Sequence, residues 1–383
     1  MKKILILIFL LILIPVVKAE EIEDLAPNAK SAIMIEASTG EILFQKNAYE
    51  KLPPASMTKM MSILLILEEI EKGNLKWDDE VVASETAASM GGSQIFLEAG
   101  EKMTVTELLK GISIASGNDA TVAMAEKIAG TEEAFVKRMN ERAKTLGLKN
   151  THFVNSTGLD IDNHYSSAYD MSLIAKELVK HDKILEFTGT YEEYLRKDSD
   201  NPFWLVNTNR LVRFYKGVDG LKTGYTSSAG YCLTATAKRE DMRLITVVMN
   251  EPDTSKRSSD TTKMLDYGYN VYTVENIIDN STTIDKKKVE LGKKEEVDII
   301  SKETITILSK KSDKDRNIVY KANIDKIVAP VKKGDKVGTI DILEDNKVIS
   351  TIEATVKEDI NKASIFTILY RNIKNIVNPL NTI

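Results

Sequence analysis

The sequence predicts a mixed α/β (α+β) domain followed by a small all-β domain, and three observations support this. The chain has 383 residues, enough for two domains of ordinary size. Strand patterns come first, helical patterns follow, and strands and one helix return, which indicates a sheet built from both ends of the segment. From about residue 273 to 359, apolar and polar residues alternate without a helical signal.

Composition argues against several classes of partner. The formal net charge is −5 and the charges are mixed in sign, so there is no electrostatic case for nucleic acid. The single cysteine, Cys232, excludes an intrachain disulfide, and its strand context predicts a core position rather than a nucleophile. The sequence contains no H-E-x-x-H, G-x-G-x-x-G or P-loop pattern, so we predict neither a metal nor a cofactor.

Residues 1–19 have the pattern of a signal peptide. Two lysines precede an apolar run from Ile4 to Val17, and Val17-x-Ala19 offers a cleavage site. An uncleaved membrane anchor is the alternative, but the run is shorter than the ~20 residues that a spanning helix needs. We therefore expect cleavage after Ala19 and a secreted mature protein.

The first domain begins with a predicted hairpin, 31–36 and 41–46, turned around Ser38-Thr39-Gly40. An apolar helix follows within 53–73 and ends at a glycine. Thr104 stands three residues before a glutamate, in capping-box register for another helix. The later elements are two amphipathic helices, two strands joined by a charged turn and a last helix, over residues 131–148, 167–181, 230–250 and 257–272.

Ser56 and Lys59 lie one helical turn apart at the head of the apolar helix. A helix start favours developing negative charge, and a buried ammonium loses hydration, which lowers its pKa. A neutral lysine can then take the proton from a serine hydroxyl. The pattern predicts Ser56 as a nucleophile and Lys59 as its base, although an isolated S-x-x-K also arises by chance.

Two further triplets offer the remaining groups. Ser116-Gly117-Asn118 stands at a break between two helices, where both polar side chains can enter one cleft. Lys222-Thr223-Gly224 enters a strand, where the lysine can hold a carboxylate and the glycine can let a substrate backbone approach as an added strand. Ser199-Asp200-Asn201 offers a competing triplet, but its charged context before a proline predicts a turn. The three histidines match no site.

Together, S-x-x-K, S-x-N and K-T-G in that order resemble the penicillin-recognising serine acyltransferases. The stretches LPPASMTKMM, GSQIFLEAGE, SIASGNDA, NSTGLD and GVDGLKTGYT look like those of serine-type D-alanyl-D-alanine carboxypeptidases, the low-molecular-mass penicillin-binding proteins of peptidase S11 type. The resemblance covers roughly residues 26–272. It implies a β-lactamase/transpeptidase-like catalytic domain over 24–272, with a central antiparallel sheet, and the β-rich domain over 273–362 also suits that family.

The resemblance implies a role for each motif residue. Ser56 is the acylated nucleophile and Lys59 its base, while Ser116 relays a proton to the leaving group and Asn118 holds substrate and Lys59. The side chains of Lys222 and Thr223 bind the terminal carboxylate, with Gly224 beside them and Arg257 as a further carboxylate contact. The backbone N–H groups of Ser56 and Tyr225 form the oxyanion hole.

The implied reaction removes the terminal D-alanine from a peptidoglycan stem peptide ending in D-Ala-D-Ala, outside the cytoplasmic membrane in the cell-wall space. β-Lactams would be inhibitors. A serine β-lactamase is one alternative, although the E-x-x-L-N loop of class A enzymes is not found between the second and third motifs. A non-catalytic β-lactam-sensing or wall-binding module is another. Endopeptidase action on cross-links also stays open.

The tail, 363–383, spaces isoleucines at helical intervals and predicts an amphipathic helix. Such a helix can lie on a membrane surface or pack on the β-rich domain, and periodicity alone leaves both open.

Overall fold

The computed structural model describes residues 23–313 and 316–377. The predicted signal peptide, 1–19, therefore lies outside the described residues, as do the last six residues of the predicted tail.

The first domain contains nine strands and nine helices among these residues. The strands are β1 Ser31–Glu36, β2 Ile42–Lys46, β3 Glu80–Val82, β4 Lys102–Thr104, β5 Glu192–Leu195, β6 Phe203–Val206, β7 Val218–Thr226, β8 Gly230–Arg239 and β9 Met242–Glu251. The helices are α1 Lys59–Glu71, α2 Glu85–Ala88, α3 Val105–Ile114, α4 Asn118–Ala129, α5 Glu132–Thr145, α6 Ala168–Leu178, α7 Asp182–Thr188, α8 Leu211–Phe214 and α9 Thr254–Val271.

A five-stranded antiparallel sheet in the order β2-β1-β9-β8-β7 forms the centre of this domain. The early strand β1 pairs with the late strand β9, from Ser31 opposite Met249 to Glu36 opposite Leu244. The predicted sheet built from both ends of the segment is confirmed. Apolar residues cover both faces: α1 and its neighbouring helices pack on one, and α9 packs on the other.

The predicted local signals match the structure with small shifts. Thr104 and Glu107 form the capping box, with the Thr104 hydroxyl accepting from Glu107 N at 3.2 Å. The last helix starts at Thr254, three residues before the predicted start at Arg257. The reason is Asp253, whose carboxylate accepts from Lys256 N at 2.8 Å and caps the earlier turn.

The second domain is built from strands and turns over the described part of 272–362. Its strands are β10 Tyr272–Ile278, β11 Asp285–Glu290, β12 Glu296–Ser301, β13 Ile305–Lys310, β14 Ile318–Ile324, β15 Ile327–Val328, β16 Lys336–Glu344 and β17 Lys347–Val356. β10 pairs with β13, and the others form a sheet in the order β14-β16-β17-β12-β11-β15 around an isoleucine- and valine-rich core. The expected all-β character is confirmed.

A helix, α10 Ile365–Val377, follows the second domain. Arg371 holds it there by donating to the carbonyl oxygens of Gly292 and Lys293, each at 2.7 Å, and by pairing with Glu295. Among the described helices, none has both the length and the apolar character required to traverse a lipid bilayer.

Candidate active site

Ser56 lies in a 3₁₀ turn, Ala55–Thr58, that leads directly into α1. Lys59 is the first residue of α1 and is completely buried, whereas Ser56 is only half-buried. The Lys59 Nζ atom lies 3.0 Å from Ser56 Oγ and donates to the carbonyl oxygen of Thr157 at 2.7 Å. The amine is thus held beside a hydroxyl that solvent and ligands can reach.

The surroundings of Lys59 disfavour its charged form. Burial holds the pKa of Lys59 well below its usual value, the charge of Lys222 lowers it further, and Asp119 acts in the opposite direction. A neutral amine has a free lone pair. In that neutral form it can accept the proton of the neighbouring serine hydroxyl.

Ser116 and Asn118 stand at the break between α3 and α4, as predicted from the sequence. Ser116 has a φ of +66°, an uncommon value for a non-glycine residue that turns the chain between the helices. The Asn118 amide donates to Gly91 O at 2.7 Å. Ser116 Oγ and Asn118 Oδ1 are buried without a hydrogen-bond partner in the described residues. Because buried polar atoms are nearly always paired, these two atoms are candidate contacts for a ligand or a water molecule.

Asp119 has no recognised role in the sequence motifs, yet its carboxylate organises the segment beside Asn118. Its carboxylate accepts from the backbone N–H groups of Ile95 and Leu97 at 3.0–3.1 Å. It thereby fixes the 91–97 loop against the start of α4, next to Asn118.

Lys222 and Thr223 lie on β7. Lys222 is buried and its amine donates to Thr223 O at 3.0 Å, while the Thr223 hydroxyl donates to Thr208 Oγ1 at 2.7 Å. Burial and the nearby charge of Arg257 lower the pKa of Lys222 to about 7. Arg257 is itself 7% exposed, and its Nε has no partner among the described residues. Among the described residues, Lys222 and Arg257 are therefore candidate contacts for an anionic group.

Gly224 also has a packing role that the sequence does not show. A Cβ at Gly224 would lie 2.8 Å from Pro54 O and 3.2 Å from Ser56 N. The missing side chain therefore lets β7 pack against the turn that carries Ser56. β7 is also the last strand of its sheet, so its outer edge is open to an added strand. Tyr225, which follows, is 56% exposed and stacks on Tyr231.

The alternatives raised by the sequence lie elsewhere. Ser199 is exposed in the turn between β5 and β6, where its hydroxyl donates to Arg196 O. Cys232 is buried in β8, and burial raises the pKa of its thiol to about 12, which leaves it unreactive. The described residues contain no group of three or more potential metal ligands. His164, by contrast, contacts the turn of the nucleophile, which sequence reasoning missed.

Family models match most of the chain. Residues 17–253 match the D-alanyl-D-alanine carboxypeptidase family, peptidase S11, and residues 272–362 match the C-terminal domain of penicillin-binding protein 5. The D-alanyl-D-alanine carboxypeptidase DacF of Bacillus subtilis is 51% identical over 351 residues, which cover 91% of this chain and 90% of that protein.

Solved structures agree with the family match. Penicillin-binding protein 5 from Haemophilus influenzae superposes with a TM-score of 0.71 at 30% identity, covering 88% of this chain and 98% of that chain. Penicillin-binding protein D2 from Listeria monocytogenes, in its cefotaxime-bound form, superposes with a TM-score of 0.58 at 32% identity, covering 63% of this chain and 97% of that chain.

Fold and site together define a penicillin-binding protein with an appended β-rich domain. The chain belongs to the D-alanyl-D-alanine carboxypeptidase family, peptidase S11. The resemblance, the fold class and the carboxypeptidase function expected from the sequence are confirmed. The β-lactamase and non-catalytic alternatives are not favoured by these comparisons.

Proposed function

We propose that the protein removes the terminal D-alanine of a peptidoglycan stem pentapeptide through an acyl-enzyme on Ser56, with Lys59 as the base. The observation that supports this proposal most directly is the 3.0 Å distance between Lys59 Nζ and Ser56 Oγ. The lysine is buried and its pKa is lowered, and the serine hydroxyl is half-buried. That pair supplies an activated nucleophile without a metal or a cofactor. The groups that complete the proposed site are Ser116, Asn118, Lys222 and Arg257.

In the proposed complex, the substrate lies as an extended strand along the free edge of β7. Its terminal carboxylate is held by Lys222, Thr223 and Arg257, because these groups form the cationic end of the cleft. Asn118 holds the peptide from the opposite wall. The carbonyl of the penultimate D-alanine then faces Ser56.

Acylation moves one proton from nucleophile to leaving group. Ser56 Oγ attacks the carbonyl carbon while Lys59 takes the hydroxyl proton, and the backbone N–H groups of Ser56 and Tyr225 stabilise the oxyanion. The C–N bond then breaks, and Ser116 relays the proton from Lys59 to the departing amine of D-alanine. A water molecule afterwards hydrolyses the ester, which releases the shortened peptide and restores the serine. A β-lactam carbonyl would be attacked in the same way.

Mass spectrometry of the protein after treatment with penicillin tests the proposal. We expect a single penicilloyl adduct on the peptide that contains Ser56, and release of D-alanine from a diacetyl-L-Lys-D-Ala-D-Ala peptide. An adduct on another side chain would contradict the assignment. Rapid steady hydrolysis of a chromogenic β-lactam would instead favour a β-lactamase, and labelling without D-alanine release would favour a sensing module.

The placement of the protein is also part of the proposal. We propose a cleaved signal peptide, 1–19, a catalytic domain over 24–272 that acts in the cell-wall space, and a β-rich domain over 273–362 that serves as a pedestal. The pedestal role is supported by a described fold of strands without a candidate catalytic group. Peripheral contact with the membrane through the tail, 363–383, completes the arrangement.

The tail prediction concerns one apolar stripe on α10. Its large side chains are 51–84% exposed and recur at helical spacing: Ile365, Phe366, Leu369, Tyr370 and Ile373. Phe366→Asp is expected to lower cosedimentation with anionic phospholipid vesicles several-fold, because a carboxylate resists burial at the lipid interface. Val348→Asp, at an exposed position of the β-rich domain, is the matched control and should bind like wild type. Equal binding by all three proteins would contradict tail contact.

A further inference from the structure

His164 lies in the loop between α5 and α6 and is 6% exposed. Its ring packs edge-on against Phe153, with ring centroids 5.8 Å apart. Nothing in the proposed reaction uses this side chain. Its Nε2 atom nevertheless lies 2.8 Å from the hydroxyl of Thr58, which is completely buried. Thr58 is the last residue of the 3₁₀ turn and directly precedes Lys59.

The hydrogen bonds of His164 determine its tautomer. Val154 N donates to Nδ1 at 3.1 Å, so Nδ1 acts as the acceptor and carries no proton. The neutral ring must therefore carry its proton on Nε2, which donates to Thr58 Oγ1. Burial lowers the pKa of His164 to about 4, with His152 lowering it and Asp160 raising it, so the ring is neutral over the physiological range.

The loop that carries His164 is tied to the nucleophile turn at several other points. Thr157 O accepts from Lys59 Nζ at 2.7 Å, and Ser156 O accepts from the hydroxyl of Ser62 at 2.7 Å. Gly158 approaches so closely that a Cβ there would overlap Ala55 O. Among these ties, the bond from His164 to Thr58 is the one made by two side chains, both of which substitution can remove.

We propose that His164 is a positioning residue for the acylation step. It fixes Thr58 against the 154–164 loop, and this holds the Thr157 carbonyl where it orients the Lys59 amine toward Ser56. The inference rests on the proposed roles of Ser56 and Lys59. Without the tie, Lys59 Nζ gains freedom to turn away from Ser56 and to meet water.

The consequence for catalysis is specific. Lys222 and Asp119 are the charged groups that act on Lys59, and neither belongs to this loop. Loosening the loop therefore leaves their charges in place but lets solvent reach the amine. Because solvation favours the ammonium form, the pKa of Lys59 should rise. The affinity for the substrate carboxylate should be kept, since the Lys222 and Thr223 side chains form their hydrogen bonds outside the loop.

The test compares His164→Phe, which removes both ring nitrogens, with His164→Gln, whose amide N–H can still reach Thr58. The probe is a fluorescent penicillin, and its second-order acylation rate constant is measured from pH 5 to 10. For His164→Phe we expect the acylation rate constant at pH 7 to fall roughly 10- to 100-fold. The rise of the rate constant with pH should occur at higher pH than in the wild type, so part of the lost rate should return in alkaline buffer. His164→Gln should lie between this variant and wild type.

Thr58→Val supplies the other half of a double-mutant cycle. If the two side chains act as one unit, the double variant Thr58→Val/His164→Phe should be no slower than the worse single variant. Ile161→Ala, at an exposed position on the same loop, is the control and should keep both the rate and the pH profile. Should His164→Phe fail to fold, His164→Gln and Thr58→Val carry the comparison.

Two results would overturn the inference. One is a folded His164→Phe variant whose acylation rate constant and pH profile are the same as those of the wild type. The other is a fall in the acylation rate constant by the same factor at every pH. That result would indicate general destabilisation and not a repositioned Lys59 amine. If the proposed function itself is wrong, the wild-type protein will form no penicilloyl adduct on Ser56. That outcome is distinct from any difference between wild type and the His164 variants.

Discussion

Ser56→Ala is expected to abolish penicillin labelling and to lower D-alanine release by at least about 10⁴-fold. The substitution removes the oxygen that forms the ester, and no other hydroxyl of the site lies beside Lys59 at hydrogen-bonding distance among the described residues. Ser56 is half-buried, and within the described part of the chain its side chain bonds only to Lys59, so the fold should survive. Labelling and peptide hydrolysis are measured on the same preparation.

A matched control is available close to the same cleft. Ser228 is an exposed serine in the turn between β7 and β8, and Ser228→Ala should keep both activities within a few-fold of wild type. Residual labelling of Ser56→Ala at the wild-type rate would place the nucleophile elsewhere and contradict the proposed mechanism.

Lys59→Met is expected to lower acylation by ~10²–10⁴-fold, the range that a lost general base accounts for. Methionine is apolar and of similar length, so it fits a completely buried position without a charge. The free energy of unfolding at neutral pH should stay equal or rise. An ordinary lysine is protonated when unfolded, whereas Lys59 is pushed toward its neutral form by folding, and this opposes folding below its usual pKa.

Lys59→Arg separates charge from basicity, because arginine keeps its proton throughout the accessible pH range. Wild-type acylation should rise with pH through the lowered pKa of Lys59, and the arginine variant should show no such rise. Thermal melts provide the control for folding of both variants. Acylation by Lys59→Arg at the wild-type rate would remove Lys59 from the mechanism.

Local sequence signals predicted most of the elements that hold the site. The turn residues of the β1–β2 hairpin and the capping box at Thr104 act over a few residues, and both are found as expected. The three motifs come together around Lys59: its amine lies 3.0 Å from Ser56 Oγ, and the charges of Lys222 and of Asp119, next to Asn118, both act on it. That these groups form one active site stays a prediction. A single sequence predicts best the features formed by residues that are close together along the chain.

The missed features depend on contacts between distant parts of the chain. Thr157 acts through its backbone carbonyl, which any residue could supply, so its side chain carries no signal. His164 and Thr58 are 106 positions apart, and nothing local marks their contact. The role of Gly224 in substrate approach stays a prediction, whereas its close packing against Pro54 is shown only by the position of β7 on the turn.

If Lys222 holds the substrate carboxylate as proposed, its low basicity links substrate binding to the uptake of protons. With a pKa of about 7, roughly half of these amines are neutral in neutral solution. An incoming carboxylate favours the ammonium form, so complex formation draws a fraction of a proton from the buffer. Affinity for the peptide terminus should therefore weaken as the medium turns alkaline, and calorimetric heats should depend on the ionisation enthalpy of the buffer.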